Sequence, residues 1–205
     1  MATNSDPFFR TFHALRIKGF AKAEMVAEVA DLPAAVAEEH LQALQAQEWA
    51  MFREARQLWQ LTPAGREGHR AALAADVAGA DVAALAAPYH SFLTLNEQFK
   101  ALCADWQLRN GEPNDHTDAA YDAEVVARLQ AIDTEARPIV GALGQVVGRF
   151  APYGPRLEHT CQRVAAGETN MFTGVMCGSY HDVWMELHED LILTQGIDRA
   201  AEGSF

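Results

Sequence analysis

The densest run of side chains able to do chemistry is Ser179-Tyr180-His181-Asp182-Val183-Trp184-Met185-Glu186-Leu187-His188-Glu189-Asp190-Leu191. On a helix, His181 and His188 share a face but stand about 10 Å apart along the axis, too far to grip one metal ion together. A His-x3-His pair or a Glu-x-x-His motif would give a chelating spacing, and neither occurs in the chain. No metal site is expected. Asp182, Glu186, Glu189 and Asp190 line a neighbouring face and read as a solvated acidic surface, with His188 beside Trp184 at the core margin. The segment Asn114-Asp115-His116-Thr117-Asp118 reads as a turn in which Thr117 or Asp118 caps the next helix. Trp106 and Arg109 just before it are candidates for an anion pocket, because Arg pairs bidentately with carboxylate or phosphate. Only folding could add His116, His181, His188, His90 or His159 to that group. No Ser/His/Asp or Cys/His grouping and no glycine-rich phosphate loop has diagnostic context, so neither an enzyme nor a cofactor is expected.

The elements that must position these groups come from 205 residues with a formal net charge of -12. The length fits a compact N-terminal domain over residues 1–78 and a larger one over residues 79–205. No apolar run approaches the roughly 20 residues that span a bilayer, and no membrane association is expected. The polar start, Met1 to Pro7, lacks the basic and apolar regions of a secretory signal, so the expected location is the cytoplasm. Cys103, Cys161 and Cys177 form no CxxC pair and read as buried reduced thiols. Residues 1–73 hold eight Lys or Arg against nine Asp or Glu, whereas residues 74–205 hold eight against nineteen. The acidity therefore sits in the second domain.

Phe8, Phe9, Phe12 and Leu15 predict a first helix over residues 8–18, closed by Gly19. A second helix spans residues 21–30, and Asp31-Leu32-Pro33 breaks it and starts a third over residues 33–47. That third helix points Val36, His40, Leu41 and Leu44 inward and Ala34, Ala35, Ala37, Glu38, Glu39 and Gln42 outward. Residues 49–53 and 57–61 read as two short strands around a turn, and Thr62 with Pro63 opens a fourth helix towards Ala78. Beyond Gly79 the chain is helical. Phe92, Leu95, Phe99, Leu102 and Trp106 form one packing stripe, and the long helix capped by Thr117 or Asp118 carries apolar residues from Val125 to Phe150, with Pro138 expected to kink it. Shorter helices follow over residues 155–166 and 171–176, and a last one runs from Ser179 to Gln195 with Gly196 as terminator. The fold class expected is mainly α, with a small β-hairpin wing and an all-helical C-terminal bundle.

The order helix, helix-turn-helix, hairpin, then Leu61-Thr62-Pro63-Ala64-Gly65-Arg66 resembles the winged-helix domain of MarR-type and related bacterial regulators. It covers about the N-terminal third and is carried by Leu32, Val36, Leu41, Leu44 and residues 61–66. The resemblance implies a DNA-binding transcriptional regulator whose partners are DNA and a second copy, with a small-molecule effector held by the helical domain. In such proteins the third helix enters the major groove and the wing reaches phosphate. The DNA contacts the resemblance implies are then Arg53, Arg56, Gln42, Lys18, Lys22 and Arg10. The third helix itself has no Lys or Arg between Leu32 and Gln47. Glu38 and Glu39 instead suit a non-DNA-binding adaptor that docks a basic partner protein. A third alternative is a metal- or ligand-binding helical protein built around Trp106, Arg109, His116, His181 and His188.

Overall fold

The structure is a computed structural model and describes residues 3–198. Helix α1 (Pro7–Lys18) begins where the Asp6 carboxylate accepts from the amides of Phe8 and Phe9, and it ends at Gly19, whose φ of 71° suits glycine. A two-residue strand, β1 (Phe20–Ala21), leads into α2 (Ala23–Ala30), which stops at the left-handed Asp31. Helix α3 (Ala34–Ala46) follows the Leu32-Pro33 break. Strands β2 (Ala50–Arg53) and β3 (Leu58–Leu61) form an antiparallel hairpin, and β1 adds to the far side of β3, giving the order β1-β3-β2. Helix α4 (Pro63–Asp76) is capped by Thr62, whose hydroxyl accepts from the Gly65 amide at 3.0 Å.

Helix α5 (Ala86–Gln107) is followed by a minimal hairpin, β4 (Leu108–Arg109) and β5 (Glu112–Pro113). Its two-residue Asn110-Gly111 tip has positive φ at both positions, the backbone a tight hairpin demands. The reading of the chain beyond Gly79 as helical misses this hairpin. Asp118 then caps α6 (Ala119–Val146), which is assigned as one helix through Pro138. Helices α7 (Tyr153–Ala165), α8 (Asn170–Thr173) and α9 (Tyr180–Gln195) follow, α9 being capped by Ser179 and closed by left-handed Gly196. The protein is mainly helical with two small antiparallel sheets. Among the described residues no helix is long and apolar enough to cross a membrane.

Two hydrophobic clusters form. One gathers Phe12, Leu15, Val26, Leu41, Leu44, Trp59 and Leu61 from α1 through β3. The other joins α5, α6, α7 and α9 around Phe92, Phe99, Leu129, Phe150, Tyr180 and Trp184. The Trp184 indole, fully buried, donates to the Asn96 side-chain oxygen at 3.0 Å, so the largest core side chain keeps its polar atom satisfied. Ala37, expected outside, is fully buried, because it lies on the same helical stripe as Leu41 and Leu44. Cys177, expected buried, is exposed, while Cys103 is half-buried and Cys161 buried, and all three are free thiols.

The segment Leu61 to Arg66 has a steric reason for its glycine. A Cβ at Gly65 would lie 1.9 Å from the Trp49 carbonyl oxygen, the same oxygen that accepts from the Thr62 amide at 3.0 Å. Helix α4 and the loop before β2 touch backbone to backbone there. Gly65→Ala should therefore cost about 1–3 kcal/mol of stability by overpacking, measured as a lowered urea midpoint. An unchanged midpoint would mean that the α4–Trp49 contact is not tight.

Candidate interaction face and the buried seam behind it

The outward side of α3 and the hairpin enclose an open groove of about 700 Å³. Its lining includes Glu24, Glu38 and Glu54 against a single base, Lys22. Glu39 is exposed on the same helix, and Gln42 is tied to Glu38 at 3.2 Å. Arg53 and Arg56 lie exposed at the hairpin end. The basic residues of α1 point elsewhere. Arg10 leans on Asp31 through its carbonyl at 3.4 Å and its carboxylate at 3.8 Å. Lys18, expected at a phosphate, is instead buried against Glu186 at 2.7 Å, with side-chain exposures of 9% and 6%.

That pair belongs to a ladder between α1 and α9, which lie antiparallel. Going up α9, Glu186 meets Lys18, Glu189 meets Arg16 at 3.1 Å, and Asp190 meets His13 at 2.9 Å. The other oxygen of Glu186 accepts from Arg156 of α7 at 2.7 Å, and Arg156 also reaches Glu28 of α2 at 3.4 Å. The acidic face of α9 is therefore not a solvated surface. Asp182, in the first turn, ties the preceding loop to the helix by accepting from the Cys177 and Gly178 amides at 2.9 and 3.0 Å. Glu186 and Asp190 are buried against cations.

At the deep end of the ladder Asp190 collects four donors. His13 Nε2 lies 2.9 Å away, Arg149 Nε donates at 3.3 Å, Thr194 at 2.9 Å and the Tyr153 hydroxyl at 3.3 Å. Arg149 also donates to Asp76 of α4 at 2.6 Å and to the Thr194 hydroxyl. Ser5 adds a bond to Asp76 at 3.0 Å, and the opposite ring nitrogen of His13 faces His69 Nε2 of α4 at 2.9 Å. Two neutral imidazoles satisfy both contacts: His69 donates to His13 Nδ1, and His13 donates from Nε2 to Asp190. This tautomer assignment follows from the partners.

Burial sets the protonation of this cluster. Burial lowers His13 below the ordinary imidazole value, with Arg149 acting in the same direction against the pull of Asp190. Burial, with His13 and Arg16 adding to it, brings His69 down to about 3. Burial alone would raise Asp190, but Arg149, His13 and Thr194 outweigh it and hold the carboxyl well below the usual range. Burial pushes the Tyr153 hydroxyl well up, keeping it a donor.

The anion pocket expected around Trp106 and Arg109 is only partly assembled. Trp106 is buried and packs on His116, their ring centroids 4.4 Å apart, and on Phe172. Arg109 is held by Asp118 at 2.7 Å and lies over the Tyr121 ring, while His116 pairs with Asp122 at 3.0 Å. These contacts fix the corner between α5 and α6. His181 stands by Phe99, and His188 is buried against Tyr89 and Phe92, so neither joins the corner. His90 and His159 are exposed. Among the described residues no three His, Cys, Asp or Glu side chains could hold a metal ion together.

Sequence reasoning passed over His13, His69, Asp76 and Arg149. The one local signal was a histidine set between Phe9, Phe12 and Leu15 on an apolar helix face. Comparison with protein-family models, with curated proteins and with solved structures finds no match.

Removing one partner of a buried ion pair leaves an uncompensated charge. Asp190→Ala should therefore lose about 3–5 kcal/mol, while Glu189→Ala at the most exposed rung should lose under about 1 kcal/mol; denaturant melts of both variants check the contrast. The pH dependence has a defined sign. Because the folded histidines bind fewer protons than the unfolded chain does, their contribution is intact above about pH 6.5 and declines as pH falls towards about 3. Asp190 continues the loss below the ordinary carboxylate range. The denaturation midpoint should fall between about pH 7 and about pH 5, with a shallower slope in His69→Gln.

Proposed function

We propose that residues 8–73 form a winged helix-turn-helix module that docks a basic partner protein through α3 and the hairpin, carried by the helical bundle as a rigid adaptor. The order α1-β1-α2-α3-β2-β3-α4 and the sheet order β1-β3-β2 support the winged-helix reading. The observation that carries the docking reading is the charge of the groove, with Glu24, Glu38 and Glu54 set against Lys22 and with Glu39 exposed beside it. Duplex DNA is a dense polyanion whose affinity for proteins comes from Lys and Arg displacing counterions. Three carboxylates around the helix that would enter the groove repel it and favour a cationic surface.

A second reading, a DNA-binding regulator, is favoured by exposed Arg53 and Arg56 at the hairpin end, where a wing meets phosphate. It needs a homodimer that sets two such modules about 34 Å apart on the duplex. The two readings give opposite results in two measurements. For docking, a partner retained by the full chain should be released at high salt and lost with the double variant Glu38→Lys plus Glu39→Lys, while duplex fragments remain unretarded at low salt. Sequence-specific retardation that disappears with Arg53→Ala plus Arg56→Ala, and partner capture indifferent to the Glu double variant, would overturn it.

A further inference from the structure

A cleft of about 600 Å³ opens where α4 passes the last turn of α9. Its α4 wall is one helical stripe: Arg66, His69 and Arg70, then Leu73, Ala74 and Val77. Ile192 and Ile197 supply the opposite apolar wall, and Arg16 closes one end. Among the described residues no Asp or Glu lines this cleft. The contrast with the other clefts of this acidic chain decides its chemistry. The one beside Arg156 holds Glu28 and Asp31, the α3 groove holds three glutamates, and the one beside Phe20 holds Asp182, Glu186 and Glu189.

The cations here are also available. Arg66 makes no ion pair among the described residues. Arg70 meets only Glu67, a pair whose side chains are both about three-quarters exposed, so water competes with it. Arg16 keeps Glu189, both side chains about three-quarters buried or more, and contributes field more than a free donor.

We propose that this cleft binds a small organic carboxylate with an apolar body, its carboxylate on Arg66 and Arg70 and its body between Leu73, Val77, Ile192 and Ile197. The volume is that of an ordinary small-molecule site, and an apolar wall with a few converging donors is the usual way such a site fixes orientation. The bound molecule would lean on His69 and Thr194, which line the cleft and also belong to the buried cluster around Asp190. It would therefore brace the contact between α4 and α9, whatever α3 docks.

The test uses the full chain with 2-naphthoate and decanoate as probes and naphthalene-2-carboxamide as the uncharged counterpart of the first. Calorimetric titration should show saturable binding of at least one carboxylate below about 1 mM, with the carboxamide about tenfold weaker or more. The double variant Arg66→Ala plus Arg70→Ala removes two exposed side chains and should keep its thermal midpoint while losing about tenfold in affinity. Ala74→Trp, which fills the cleft and leaves both charges in place, should abolish binding. Absence of saturable binding by both carboxylates would overturn the proposal. Equal affinity for the carboxamide would overturn it too, as would binding untouched by the two variants.

Discussion

Asp190 is the point on which the two halves of this molecule close. A carboxylate with almost no solvent contact is tolerable only if every lone pair finds a donor, and here His13, Arg149, Thr194 and Tyr153 supply them. Three of those donors come from the helical bundle and one from α1. Arg149 carries the link further to Asp76 on α4, so both ends of the N-terminal module are tied to one buried charge. Apolar packing would hold the halves together in many rotations, whereas fixed donor directions select one. The rigidity of the adaptor reading depends on that constraint.

The same constraint redistributes charge over the surface. Lys18 and Arg16 face α9 because Glu186 and Glu189 require counter-charges there. With these cations drawn inward, the side of the module carrying α3 keeps Glu24, Glu38, Glu39 and Glu54 with little to offset them. The acidity of the groove and the neutrality of the seam thus have one origin, and the cleft at α4 stands out because no carboxylate lines it among the described residues and Arg70 there meets only the exposed Glu67.

What could be read from the sequence was what depends on neighbours along the chain. Thr62, Asp118, Ser179, Gly19 and Gly196 marked helix ends because capping and left-handed stops act within a few residues. The apolar stripes of α5 and α9 followed from helical period. Ala37 was misplaced because an alanine carries no polarity to betray its side, and the Asn110-Gly111 hairpin because two-residue strands leave no alternation to read. The candidate site was least legible. His13, His69, Asp76, Arg149 and Asp190 each look ordinary in their local windows, and a run of acids on one helix looks the same whether water or arginine faces it. Only the tertiary pairing distinguishes those cases.

The ladder between α1 and α9 joins positions separated by 168, 173 and 177 residues. During synthesis the N-terminal module emerges first and can gather its own apolar cluster from residues 8–72. Its α1 must then wait, with Lys18, Arg16 and His13 lacking their acidic partners, until the ribosome has delivered α9. Contacts closed over such a span are the slow ones in folding, because the loop entropy is lost before the contact forms. Maturation of this protein is therefore vectorial: α1 is made long before the helix that completes its contacts.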